Sequence, residues 1–257
     1  MAVSSDNAGL ASSLTDLMTS LAVIFILLLV ASHNNEQQKL AGTQAGLENA
    51  LRELDDAKKK TGVTRTEILA EIQKALQSFA AQGVRAETDP RDPLGLLVIV
   101  PETLLKFAVN EDKIPPGGVD FLRSFMPELA KPICFDRFRE EISAIVIEGH
   151  ADSSGTDAIN LPLSQKRSMA VVRESLDVLS KPTADAGASS TLRACFLTFL
   201  SASGRGSSDP IQDPITRMED PERSRRVVFK IRVRSLEQRQ VQGALGIDTP
   251  LQSVRTP

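Results

Sequence analysis

The sequence predicts an α/β protein: one apolar helix near the amino end, a helical linker, and a globular domain with the order β-α-β-α-β-β. Three observations predict it. The run "LMTSLAVIFILLLVAS", Leu17 to Ser32, carries no charge over 16 residues. Residues 33–93 are mostly polar, with apolar residues at helical spacing. From Leu94 onward, short β-branched runs alternate with amphipathic stretches, the pattern of helices layered on a sheet.

The apolar run comes first. Extended back to Ala8 it includes one charged side chain, Asp16, over 25 residues, or about 37 Å of helix at about 1.5 Å per residue. A bilayer core needs about 20 residues, or about 30 Å, so residues 14–32 are expected to span a membrane once. A signal peptide would want a basic amino-terminal region, and no Lys or Arg precedes Lys39. The thirteen residues before the span are too few to fold. Charge encodes orientation weakly, because the amino-terminal side has no Lys or Arg to count.

Residues 33–93 are expected to be a helical linker. In 33–62, Leu40, Leu47 and Leu54 repeat every seven residues, with Ala50 and Ala57 at the matching d positions. The seam is thin, and Gly42 and Gly46 weaken it. A short parallel dimer helix and a solvated helix are both compatible with it. "TRTEILAEIQKALQSFAAQGV" is amphipathic, with Ile68, Ile72, Leu76 and Phe79 on one stripe and Gly83 as a stop signal.

The globular domain is expected over 94–234. "LGLLVIV" and "ISAIVIEG" read as buried strands, "VDFLRSFMPELAK" and "LSQKRSMAVVRESLDVLS" as helices, and "CFLTFLSASG" as a third strand. "SRRVVFKIRVR" alternates cleanly and closes the sheet. The tail, 235–257, has no strong periodicity and is expected to be mobile or loosely docked.

Composition excludes several classes. Charged residues are 25% of the chain and the net charge is −3, which argues against a nucleic-acid partner. Trp and Tyr are absent, so the usual stacking platform is missing. The two cysteines and two histidines form no zinc spacing. Neither a metal nor a cofactor is expected. His150 has no Cys or second His near it in sequence, so no catalytic role is assigned to it, and the chain is not expected to be an enzyme.

The stretch "IEGHADSSGTDAINLPLSQKRSMAVV", Ile147 to Val172, carries the candidate site. A strand ends at Gly149, a Gly- and Ser-rich turn bears Asp152, and a helix entered near Ser164 holds Lys166 and Arg167 in its first turn. Residues at strand ends and helix starts converge on a cleft in open α/β layers. There Asp152 could take an ammonium and Arg167 a carboxylate. From spacing alone, a solvated turn with an incidental ion pair fits as well.

This stretch resembles the signature of the OmpA-like peptidoglycan-binding domain, G-H-T-D, then G, then N-x-x-L-S-x-x-R-A. It is carried here by Gly149, His150, Asp152, Gly155, Asn160, Leu163, Ser164 and Arg167. "GRGSSDP" and "ERSRRVVF" resemble the family's glycine turn and its N-R-R-V strand. The departures are Ala151 for Thr, Ser168 for Ala and Ser224 for Asn. The resemblance implies that Asp152 and Arg167 bind the diaminopimelate of the cell-wall peptide, with Asn160, Leu163 and Ser164 beside them. It also places the domain outside the cytoplasm, where disulfides persist. Cys134 and Cys195 are expected to pair because their strands would start at the same end of the sheet. Two buried free cysteines are the alternative.

"TDLMTSLAVIFILLLV" is similar to the single span of the ion-driven stator B subunits of the bacterial flagellar motor: an Asp, an apolar residue, Met-Thr, then a long apolar run, with an OmpA-like domain downstream. The same architecture occurs in the Zorya anti-phage defence system. The resemblance implies that Asp16 carries a proton, with Thr19 and Ser20 one turn along. It implies a B-subunit homodimer inside a pentameric ring of multi-span A-type subunits, the amino terminus in the cytoplasm, the domain in the periplasm, and peptidoglycan as anchor. The lack of a basic amino-terminal tail points away from the flagellar kind. A carboxyl in a low-dielectric site has a raised pKa and can load a proton. Asp16 as a helix cap remains open. So does a passive membrane-tethered wall anchor, for which an intramembrane carboxylate has no use. A Tol- or Ton-type transducer would lack the OmpA-like signature.

Overall fold

A computed structural model describes residues 6–134, 138–181, 186–235 and 238, with the side chains of 6–16, 41, 45 and 186–191 outside the description. Within it the chain divides into two compact units after Ala57. The first helix, α1, is continuous over Asp6–Ala75. The expected span, linker helix and amphipathic helix are therefore one element. No proline precedes Pro90, and a helical Gly costs only about 1 kcal/mol relative to Ala. Gly42, Gly46 and Gly62 are passed without a break, and a Cβ at any of them would meet nothing within 4 Å.

In the first unit, α1 has one stretch long and apolar enough to cross a membrane. Its large side chains from Leu17 to Val30 are all more than half exposed. Thr19 and Ser20 lie on the exposed surface of this stretch. Asp16 lies in α1, but its side chain is outside the described residues. Leu40, Leu47 and Leu54 are about 60% exposed, and none of the described residues covers the heptad seam.

In the second unit the expected stripe is buried: Ile68 and Ile72 are almost wholly covered, followed by Leu76 and Phe79. A 3-10 turn, Gln77–Gln82, ends at Gly83, whose φ of 90° suits the left-handed cap. The strands are β1 (Arg85–Thr88), β2 (Gly95–Pro101), β3 (Ile142–His150), β4 (Leu200–Gly206) and β5 (Arg226–Val233), and the helices are α2 (Glu102–Leu105), α3 (Pro116–Cys134), α4 (Asp157–Ser180), α5 (Ala186–Phe199) and α6 (Pro221–Ser224). The sheet order is β1-β2-β5-β3-β4, with β3 and β4 parallel and the other pairs antiparallel. Val227, Phe229, Ile231 and Val233 of β5 and Ile145 and Ile147 of β3 point into the core under the helices. Phe125 packs edge-on to Phe79, stacks on Phe121 and tilts against Phe229.

Two elements depart from the sequence reading. Cys195–Phe199 belongs to α5, not to a strand; β4 starts at Leu200. Leu192, Cys195, Phe196 and Phe199 follow i, i+3, i+4, i+7, the spacing of a buried helix face. The edge strand β1 has no apolar pattern, being exposed at Arg85, Glu87 and Thr88, and exists through its pairing with β2. Cys134, at the end of α3, is bonded to Cys195 in α5 with Cα atoms 5.9 Å apart. The two cysteines meet between helices, not at the starts of neighbouring strands. Closing a loop of 61 residues removes unfolded-state freedom equivalent to about 4 kcal/mol.

Candidate functional site

The site begins where β3 runs into α4. A Cβ on Gly149 would collide with the Ser164 carbonyl, and one on Gly204 would sit 2.5 Å from the Gln165 amide. The two glycines let α4 lie directly on β3 and β4. Between β3 and α4 the loop turns at Gly155, φ 122°, a conformation that favours glycine. Asn160 Nδ2 donates to the Asp152 carbonyl at 3.0 Å and closes the loop. α4 starts at Asp157, earlier than expected, so Arg167 lies in its third turn.

Asp152 and Arg167 line one cleft of about 490 Å³, with Asn160 and Leu163. They are not each other's partner. Asp152 accepts from the Ser154 amide at 3.0 Å, the Ser154 hydroxyl and the Arg225 guanidinium. Arg167 pairs with Glu102, donates through Nε to the Glu111 carbonyl at 2.9 Å and through Nη2 to the Ala108 carbonyl at 3.0 Å, and lies 4.9 Å over the Phe107 ring. Glu102 also takes Arg225 Nε at 3.2 Å. The four charges thus form one chain: Asp152, Arg225, Glu102, Arg167.

Their electrostatics differ. Burial pushes the Glu102 carboxyl up, and the pull of Arg167 and Arg225 does not fully offset it. Burial also pushes Asp152 up, but the hydrogen bonds from Ser154 and Arg225 outweigh it and hold the carboxyl below its ordinary range. Burial lowers Arg167, with Glu102 opposing.

The remaining sequence-derived residues fall outside the cleft. Ser164 is buried; its hydroxyl donates to the Leu161 carbonyl and accepts the Gly206 amide at 2.9 Å, pinning the end of β4. Ser224, standing for the family's Asn, is fully buried and accepts the Ile211 amide at 2.9 Å. It holds the β4–β5 loop and, with α6 capped by Asp220, sets the position of Arg225. His150 is buried on the side of the sheet that bears Glu148 and Arg226, with Glu148 Oε2 3.7 Å and Asp209 Oδ2 4.0 Å from its ring nitrogens.

Sequence reasoning missed Glu102 and Arg225. Glu102 follows Pro101 at the start of a four-residue helix, where an acid is expected by charge–dipole attraction alone. Arg225 lies within "ERSRRVVF", whose N-R-R-V resemblance points to a strand and not to part of the site.

No family model matches the chain. It is similar to the Zorya protein ZorB of Escherichia coli, 28% identical over 230 residues, covering 85% of this chain and 86% of that one. The likeness is of Zorya type. The matched share is larger than residues 58–257 alone hold, so it reaches into the first unit. Among solved structures, a MotB-like protein from Desulfovibrio vulgaris is 22% identical, covering 69% of this chain and 96% of that one, with a TM-score of 0.47. The periplasmic domain of Helicobacter pylori MotB is 18% identical over 65% and 94% of the two chains, with a TM-score of 0.42. The cell wall anchor of the T6SS from Pseudomonas aeruginosa is 23% identical over 63% and 97%, with a TM-score of 0.40.

Proposed function

We propose that the chain is the B-type subunit of a Zorya-type membrane motor driven by the proton-motive force, with no enzymatic role. The similarity to ZorB across both units carries the reading. Residues 14–32 cross the inner membrane once, with 1–13 in the cytoplasm, and 33–93 lead through the periplasm to the wall-binding domain of 94–234. The end of that segment, from Ile68 through β1, is built into the domain's core and sheet, so the domain begins earlier than residue 94. Residues 235–257 are a tail, beyond Ser235 almost wholly outside the described residues. Two copies sit within a pentameric ring of multi-span A-type subunits. Asp16 carries the proton, and Thr19 and Ser20 share its polar path.

In the cleft, Asp152 takes the ammonium and Arg167 the carboxylate of a diaminopimelate side chain. Both charges stand largely out of water, where opposite charges attract more strongly than in bulk solvent. Leu163 supplies apolar wall, and Asn160 and Ser164 hold the loop and helix in register. A motor needs a fixed point, and the wall provides it.

The test separates the two halves. Asp16→Asn is expected to assemble with the A-type subunit and abolish phage protection; full protection would overturn the proton role. Asp152→Ala and Arg167→Ala are each expected to lose sedimentation with purified peptidoglycan, and unchanged sedimentation in both would overturn the wall site.

A further inference from the structure

The cleft already contains a zwitterion made by the protein itself. Arg225 sits on Asp152, where an ammonium would go. Glu102 sits on Arg167, where a carboxylate would go. The same two residues touch each other, with Arg225 Nε 3.2 Å from Glu102 Oε2. We propose that the Glu102–Arg225 pair is an internal stand-in for the zwitterionic end of the ligand, and that binding is a partner exchange. This rests on the wall-peptide reading of the cleft.

The exchange conserves charge. Before binding, Asp152 holds Arg225 and Arg167 holds Glu102. After it, Asp152 holds the ligand ammonium, Arg167 holds the ligand carboxylate, and Glu102 and Arg225 keep each other. No buried charge is left alone at either end, so the large cost of an unpaired ion in a low-dielectric site is avoided throughout. The anchors and the stand-in differ in how they are held, although Glu102, 14% exposed, is nearly as covered as the anchors. The Asp152 and Arg167 side chains are 9% and 11% exposed, and Arg167 is tied to two backbone carbonyls. Arg225 is 40% exposed. Glu102 begins a helix of only four residues, which ends at Lys106 in the left-handed conformation. The stand-in can withdraw while the anchors stay.

The consequence is a site that is self-closed without ligand. Its apparent affinity is the intrinsic affinity reduced by the fraction of molecules in which the pair has withdrawn. When the pair withdraws for a ligand bearing only one of the two charges, the other anchor, Asp152 or Arg167, is left without a charged partner. The device therefore favours a ligand that brings both charges together.

Full-length protein in detergent is titrated with a soluble stem peptide ending in diaminopimelate, and with the same peptide carrying a carboxamide in place of the distal carboxylate. Glu102→Gln keeps the shape and removes the competing charge. It is expected to bind the carboxylate peptide about three- to tenfold more tightly, as for a withdrawn fraction of about a tenth to a third in the native protein, with little gain for the carboxamide. Weaker or unchanged binding by Glu102→Gln, or an equal gain for both peptides, overturns the stand-in; weaker binding would make Glu102 a direct ligand contact. Asp152→Ala in the same titration is the control. If it loses the peptide while Glu102→Gln gains nothing, the stand-in fails and the wall site stands. If Asp152→Ala and Arg167→Ala both bind normally, the wall site itself fails.

Discussion

Two stretches of α1 bury the same kinds of side chain in opposite ways. Ile68 and Ile72 are covered to within 1% of their surface by the sheet domain's own core, whereas Ile24, Leu27 and Leu28 are 56–63% exposed. Each apolar square ångström returned to water costs about 25 cal/mol in either place. The first stretch meets that demand inside its own chain. The second is covered by none of the described residues and demands an apolar solvent or further helices. Hydrophobicity alone therefore does not distinguish a core helix from a span. What distinguishes them is whether a polar face exists: Glu67, Glu71 and Lys74 stand around Ile68 and Ile72, and nothing charged interrupts Leu17–Ser32.

The largest expected effect separates these stretches by stability. Ile72→Ala should lower the unfolding free energy of the globular domain by about 2–5 kcal/mol, read as a shift of the denaturation midpoint. Leu27→Ala should leave that midpoint in place, and an equal loss from both would erase the contrast. Next is the insertion of the span: Leu27→Arg should cost about 2.5–3.5 kcal/mol at a helix centre in a bilayer, seen as protein lost from the membrane fraction with the domain still folded.

The smallest effect lies on the polar side of the sheet, where packing gives way to charge. Burial lowers the pKa of His150, opposed by Glu148 and Asp209 and reinforced by Arg226. The folded state thus prefers the neutral ring. Its contribution to stability is fully present above the ordinary value of 6.5 and is lost as pH falls from there through the lowered folded value. Asp89, Asp152 and Asp209, all held low in the fold, extend the loss with the same sign only below the ordinary carboxylate range. The denaturation midpoint should begin to fall below about pH 6.5, and His150→Gln should flatten that limb. A slope that survives the substitution would assign it to other groups.

How much was legible follows from how each residue is used. The apolar stripe Ile68–Phe79 and the alternation of β5 were readable because local spacing and burial obey one period. α5 was misread because "CFLTFLSASG" joins a helix end to a strand without a breaker, and its helical spacing shows only when Leu192 is included. β1 had no signal, since an edge strand with exposed side chains is defined by its neighbour's hydrogen bonds. In the cleft, Asp152 and Arg167 were found through their motif. Glu102 comes from 50 residues before Asp152 and Arg225 from 73 after it; no local pattern links them.

The apolar run, the buried faces, the acid and base that line the cleft and the two cysteines available to bond all follow from the order of residues alone. These depend on side-chain chemistry at fixed short spacing, which a helix or strand converts directly into a face. Which groups pair with which is set by three-dimensional packing: Asp152 holds Arg225, Arg167 holds Glu102, and Cys134 meets Cys195 between two helices. Ion pairs and disulfides act over a few ångströms, and the distances between residues far apart in the chain are set by how the sheet and helices pack.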